Sequence, residues 1–359
     1  MPYAIITGVA GQDGSYLSEL LLEKGYHVFG MIRRNSSIIL DRLQCARQHP
    51  NFHLIYGDLT DIASLFQLFN MVLEHERIHD PIHSTPIEVY NLAAQSHVKV
   101  SFETPMYTTQ SDAVGVLNIL EVIVRLKLTD PSRLRFYQAS TSELYGNSPA
   151  PQSENTAFHP RSPYAIAKLY GYWTVRNYRE AHNMFAVNGI LFNHESERRG
   201  ETFVSRKITR AVANLVNGNK NNNTTDVLTL GNLYAKRDWG HAQDYVRAMW
   251  LMLQHPTPHD FVIATGTSHT VKDFVDHAFM CVGIQLTWKG TGDDEKAYDS
   301  DTGKLIVQVD QKYHRPTEVN ELCGDVSKAK RELNWSAQIG FKELVHRMVI
   351  HDIHMLQIK

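Results

Sequence analysis

Cysteine is scarce in this chain: three among 359 residues, at positions 45, 281 and 323, odd in number and scattered. That excludes a disulfide framework and, with no CxxC pair, a cysteine-based zinc site; it points instead to a reducing compartment. Long uncharged apolar runs are missing, so no bilayer-spanning helix is expected. An excess of charge is missing too. The 36 Lys and Arg against 38 Asp and Glu leave a formal net charge of -2. No sequence-wide positive field gathers nucleic acid or an anionic membrane surface, so an anionic partner has to be held locally. The opening Met1-Pro2 leads straight into an apolar run without the segments of a secretory signal, and a cytoplasmic location is expected. Histidine, by contrast, is plentiful at 19. The segment "HDIH" sets His351 and His354 at helical spacing without a carboxylate or cysteine partner at ligand spacing, which fits a solvated helix face, and no metal is expected.

The length allows about two domains of roughly 150 residues each. Short apolar segments alternate with amphipathic ones through the first half. Tyr3 to Thr7 predicts a buried strand, Gln12 to Lys24 a helix with Leu17, Leu20 and Leu21 on one face, and His27 to Ile32 the next strand. "FHLIYGD", "IEVYNLAA", "LRFYQAST" and "FAVNGILFN" read as further strands, separated by a helix from Asp61, the apolar helix "DAVGVLNILEVIVRL" and the long helix "PRSPYAIAKLYGYWTVRNYREA". Strict alternation with helical connections predicts an α/β fold, a doubly wound parallel sheet covered on both faces. After about Asn193 the rhythm breaks into charge clusters, helices separated by irregular stretches and a polar loop, "NGNKNNNTTD". The expected division is a nucleotide-binding domain over 1–193 and a smaller substrate-binding α/β domain over 194–359, with possible exchange of segments between them. No solenoid repeat is visible.

Gly8, Gly11 and Gly14 form GxxGxxG at the first strand-to-helix junction. Alone, that spacing fits any tight turn. At this junction it lets backbone approach a pyrophosphate and aims a helix N-terminus at it, so a dinucleotide is the expected ligand. The second strand ends "MIRRNSS", where a free ribose 2'-hydroxyl would call for an acidic residue. Arg33 and Arg34 with Asn35 and Ser36 suit a 2'-phosphate, and NADP is expected ahead of NAD.

"SPYAIAK" sets Tyr164 and Lys168 four apart at a helix start, with Ser162 as N-cap and Pro163 in the first turn. The shared face brings an ammonium near a phenol, and that charge with the helix end is expected to lower the phenol toward a base usable near neutrality. "QASTSELYG" ends the preceding strand. If extended, it points Thr141 and Glu143 the same way, above the carboxyl edge where open α/β sheets bind ligands. A plain alcohol dehydrogenase needs no Glu143. Oxidation of a sugar at C4 acidifies the C5 hydrogen, and a second carboxyl group can then remove that proton and help a C6 hydroxyl leave as water.

These residues resemble the extended short-chain dehydrogenase/reductase superfamily and, within it, the GDP-mannose 4,6-dehydratase family. The likeness rests on "TGVAGQDGSYLSELLLEKGY", "MIRRNSS", "YGDLTD", "NLAAQSHVKVSFE", "FYQASTSELYG", "RSPYAIAKLY", "VNGILFNHES", "GNLYAKRDWGHAQDYV", "FVIATG" and "YHRPTEV", from about Ile5 to Trp335. It implies a Rossmann-like fold, catalytic Thr141, Glu143, Tyr164 and Lys168, and a GDP-mannose substrate. It further implies NADP contacts at Gly8, Val9, Ala10, Gly11, Gln12, Asp13, Arg33, Arg34, Asn35, Ser36, Asp58, Leu59, Leu92, Ala93, Ala94, Gln95, Ser96, Tyr107, Lys168, His194 and Arg199. The GDP moiety is expected near Asn193, Lys207, Arg237, Arg315 and Glu318. The family forms homodimers or homotetramers, in the latter through the loop Arg33 to Ser37. Three other readings stay open on the residues: a nucleotide-sugar 4-epimerase, a GDP-sugar 4-reductase, and a dinucleotide-binding redox sensor with no enzymatic role.

Overall fold

A computed structural model describes residues 1–36, 40–218 and 227–357. Ser37 and most of the asparagine-rich run lie outside the described residues. The first half consists of β1 (Tyr3–Thr7), α1 (Gln12–Glu23), β2 (His27–Ile32), β3 (Phe52–Tyr56), α2 (Ile62–His79) and β4 (Ile87–Asn91), followed by α3 (Val98–Glu103), α4 (Pro105–Thr109), α5 (Gly115–Arg125), β5 (Leu134–Thr141), α6 (Pro163–His182) and β6 (Phe185–Leu191). The strands pair in parallel in the order β3-β2-β1-β4-β5-β6, and Phe261–Ile263 from the second half adds a seventh strand beside β6. Strand order reverses between β1 and β4, which opens a crevice at their carboxyl ends.

Alternation along β1 divides the two cores. Ala4 and Ile6 pack with Leu17 and Leu21 of α1 and with Val246 and Met249 of helix Ala242–Gln254. Tyr3 and Ile5 pack with Leu65 and Phe69 of α2, Ile119 and Ile123 of α5 and Val175 of α6. The sheet is covered on both faces.

Two elements differ from the sequence reading. The helix expected from "DAVGVLN" starts earlier, at Pro105, and Gln110–Val114 widens into a π-helical turn before α5. The second half also holds two four-stranded sheets, one of Asn193–Glu195, Lys236–His241, Ser268–Thr270 and Glu321–Leu322, the other of Leu228–Leu230, Leu286–Lys289, Lys296–Asp299 and Leu305–Val309. Most of these strands are too short to show alternation in sequence. A separate apolar core joins Ile208 and Val212, Phe274, Val307, and Leu344 and Met348 of the last helix, Phe341–Gln357. That helix carries "HDIH", with His351 half-buried, His354 exposed, and Asp352 buried against Arg206 at 2.6 Å. Among the described residues no helix is long and apolar enough to cross a membrane.

Candidate active site

The crevice at the β1/β4 reversal is the floor of a cleft of about 630 Å³ that extends toward the second half of the chain. Glycines shape its inner end. Gly8 sits at φ +68°, and a Cβ there would stand 2.8 Å from the Ala93 Cα, while a Cβ on Gly14 would stand 2.5 Å from the Gly8 carbonyl oxygen. Both clashes are with backbone, so only glycine fits. Among the described residues no side chain caps the first turn of α1. An open helix end over a floor without side chains is a cradle for a diphosphate.

Gln12 and Asp13 of that turn are tied into the fold. Asp13 Oδ2 lies 2.7 Å from His194 Nε2, Gln12 Nε2 donates to Asp13 Oδ1 and to the His194 carbonyl, and Ser196 Oγ donates to Gln12 Oε1. Burial works against the Asp13 charge, but His194 outweighs it and holds the carboxyl below its ordinary value. Burial likewise opposes a charged His194, and Asp13 reverses that and raises it. The pair joins α1 to the strand Asn193–Glu195 beneath the cleft.

The other expected cofactor residues divide. Gly8, Gly11, Gln12, Asp13, Arg33, Asp58, Leu59, Leu92, Ala93, Ala94, Ser96, Tyr107, Lys168, His194 and Arg199 line the cleft. Val9, Ala10, Gln95, Arg34, Asn35 and Ser36 do not. Val9 is fully buried in the core. The Ala10 carbonyl accepts from Arg42. Gln95 turns inward to the His97 carbonyl and Thr108 Oγ1. Arg34 lies over the Tyr56 ring at 4.4 Å, and Asn35 and Ser36 are exposed. Arg33 reaches the cleft edge and donates to the Tyr107 hydroxyl.

Thr141, Glu143, Tyr164 and Lys168 all line the cleft. Strand alternation does not bring the first two together: β5 ends at Thr141, whose hydroxyl accepts from the Glu143 N–H at 3.2 Å and caps a single 3-10 turn over Ser142–Leu144. That turn swings Glu143 into the cleft. Helix α6 starts as the sequence predicts, with Ser162 Oγ accepting from the Ala165 N–H and Pro163 as first residue.

The electrostatics depart from expectation at Tyr164. Burial, then Asp112 and Glu143, push its phenol up, whereas Thr141 and Arg199 favour the phenolate. Lys168 is not the neighbour that lowers it. The ammonium donates to the Ala139 carbonyl at 3.0 Å and lies 5.9 Å from the Tyr164 ring centre, and burial pulls its own value down while Asp112 opposes that. In the protein alone Tyr164 keeps its proton. Asp112 carries no signal in the sequence because it reaches the site through the π-helical turn. Its Oδ1 accepts from the Gln95 N–H at 2.7 Å, and among the described residues its buried Oδ2 has no partner.

Glu143 behaves in the opposite way. Burial resists its charge, but Arg315 and then Arg237 hold its carboxyl below the ordinary glutamate value. Arg315 donates to Glu143 Oε1 at 3.1 Å. Arg237 is buried and pulled down to about 10 by that burial, with Glu143 opposing, and it donates to the Val319 carbonyl. The outer cleft wall therefore carries cations. Lys207 lies 3.8 Å above the Tyr313 ring, with Lys99 close by. Asn193 and Glu318 share this wall, and Glu318 accepts from the Arg315 N–H at 2.9 Å. Lys99 and Tyr313 lie within segments that carry the family likeness, but no spacing rule singles out either as a site residue.

A sequence model described as GDP-mannose 4,6 dehydratase matches residues 5–348. The GDP-mannose 4,6 dehydratases of Drosophila melanogaster and Homo sapiens are 52% and 51% identical to this chain, each match covering 99% of it and 87% and 92% of the relative. That of Sinorhizobium fredii is 51% identical, covering 99% of this chain and 97% of the relative. In fold the chain is similar to a UDP-glucose 4-epimerase of Thermotoga maritima solved with UDP-glucose, at TM-score 0.78 and 22% identity over 99% of both chains. It is also similar to RMD from Pseudomonas aeruginosa complexed with NADPH, at TM-score 0.73 and 19% identity over 99% and 100%. Near-complete coverage at about half identity, together with the family match, means that this chain belongs to the GDP-mannose 4,6-dehydratase family.

Proposed function

We propose that the protein is a hydro-lyase that converts GDP-mannose to GDP-4-dehydro-6-deoxy-mannose and water with a tightly held NADP. The observation that carries this reading is Glu143, ionised between Arg315 and Arg237 in the same cleft as Tyr164. The activities named for the relatives support the substrate, and the diphosphate cradle fits a dinucleotide. When bound, the nicotinamide supplies oxidation at C4 and the matching reduction at C6.

The chain's own residues do the rest. Thr141 orients the C4 oxygen. Tyr164, protonated in the protein alone, gives up its proton to solvent once both ligands are bound, with Thr141 and Arg199 favouring the phenolate. It then accepts the C4 hydroxyl proton as C4 is oxidised. The Glu143 carboxylate removes the C5 proton and passes it to the departing C6 hydroxyl, which leaves as water. Reduction at C6 then needs a proton at C5, which the same carboxyl group relays from solvent while Tyr164 releases the C4 hydroxyl proton. Lys207, Arg237 and Arg315 hold the GDP diphosphate, with Asn193 and Glu318 beside them. Arg33 and Arg34, at a strand end without a carboxylate, support NADP over NAD. The reading also takes 1–193 as the cofactor domain and 194–359 as mainly the substrate domain, in a cytoplasmic homodimer or homotetramer.

Incubation with GDP-mannose and trace NADP is expected to give a nucleotide sugar lighter by one water, without net NADP consumption, and NAD in its place is expected to support a slower reaction. A product of unchanged mass identifies an epimerase and refutes the proposal. No conversion of any nucleotide sugar supports the redox-sensor reading.

A further inference from the structure

At the opposite end of the sheet, away from the cleft, three histidines converge. His27 opens β2, His53 is the second residue of β3, and His75 comes down from α2. One ring nitrogen from each lies within 4.8 Å of the others. The ring centres are 4.9 Å apart for His27 and His75, and 5.1 Å apart for His53 and His75. His79, one turn after His75, lies with its ring centre 4.3 Å from that of His75, the two rings tilted by 37°.

The hydrogen bonding is incomplete where it matters. His27 is only 8% exposed, and among the described residues neither of its ring nitrogens has a partner, nor does Nε2 of His53. Unpaired buried nitrogens are costly unless something binds them. We propose that His27, His53 and His75 form a binding site for a borderline divalent metal ion, zinc foremost, which ties α2 to the outer strands of the sheet.

The surroundings favour imidazole over carboxylate donors. Glu76 is engaged by Arg133 at 2.9 Å and His83 at 3.2 Å, and Asp80 by Ser84. Tyr3, whose hydroxyl lies 3.2 Å from His75 Nδ1, is pushed up by burial, so it stays a neutral phenol. That leaves His79 or water as fourth donor. The His75 and His79 pair has the i,i+4 spacing with which a helix presents two imidazoles on one face. Imidazole suits zinc, nickel and copper rather than magnesium or calcium. Zinc bonds of about 2.0–2.1 Å in tetrahedral array require the rings to close by about an ångström. β2 runs six residues from His27 to the cleft edge at about 3.3 Å per residue, which puts the site roughly 15 Å from the cleft, so its role is to brace the fold.

Metal-stripped full-length protein is expected to take up one tight equivalent of zinc from ZnCl2 in competition with a chelator, and to melt at a higher temperature with zinc than without. His75→Gln is expected to weaken that equivalent by about 100-fold or more. His53→Asn, a change at a half-buried position on the edge strand β3, is expected to do the same and gives a second variant if the first does not fold. Dehydratase turnover is expected to stay the same in both. Failure of the wild-type protein to bind stoichiometric zinc overturns the proposal, and so does undiminished binding in a folded variant.

Discussion

Replacing Glu143 with glutamine is expected to lower turnover of GDP-mannose by about 10²- to 10⁴-fold, the usual range for loss of a positioned general base. Dinucleotide binding should persist, because Glu143 lies beyond the glycine cradle. The size of the effect follows from the ionisation state. Arg315 and Arg237 hold the carboxyl below its ordinary value against the pull of burial, so at neutral pH it is a base ready to accept the C5 proton. Glutamine keeps the shape and cannot accept it. The substitution also removes the partner of two cations, one of them buried, so some loss of thermal stability is expected alongside the kinetic effect. Initial rates and dinucleotide titration on the same preparation separate the two. Unchanged turnover in folded Glu143→Gln would remove this residue from the mechanism.

Gly14→Ala is expected to abolish tight dinucleotide binding and to destabilise the fold by about 1–3 kcal/mol, the range for an overpacked interior. A methyl group at this position would sit 2.5 Å from the Gly8 carbonyl oxygen and 2.6 Å from the Val9 Cα. Neither is the end of a movable side chain, so α1 must shift away from the turn. Because α1 is also anchored through the Asp13 and His194 pair, that shift strains the strand Asn193–Glu195 beneath the outer cleft. Dinucleotide titration and thermal melting measure both effects. A variant with wild-type affinity would show that the turn has room the structure denies it.

What was legible in the sequence follows from how local the causes are. Buried parallel strands are largely apolar runs, so β1 and β2 were predicted with their observed ends, and β5, more polar toward its carboxyl end, was placed by its position between two helical segments. Helix α6 was readable because a serine cap, a first-turn proline and the Tyr164 and Lys168 spacing coincide within a few residues. Features made by distant segments were not readable. Asp112 reaches Tyr164 only because the helix widens at Gln110–Val114. Lys168 was expected to lower the Tyr164 phenol, yet its ammonium is drawn to the Ala139 carbonyl instead. Thr141 and Glu143 do share the cleft, but a capped turn rather than strand alternation brings them there. The histidines at 27, 53 and 75 carry no common motif, because parallel pairing and the placement of α2 bring them together only in the folded chain.

The central claim is that one cleft oxidises C4, eliminates across C5 and C6, and reduces C6 within a single binding event. GDP-mannose carrying deuterium at C4, turned over with unlabelled NADP, tests it most directly. The account predicts a dehydrated product with that deuterium recovered at C6 of the same sugar. Deuterium retained at C4, or lost to the cofactor pool, would contradict it.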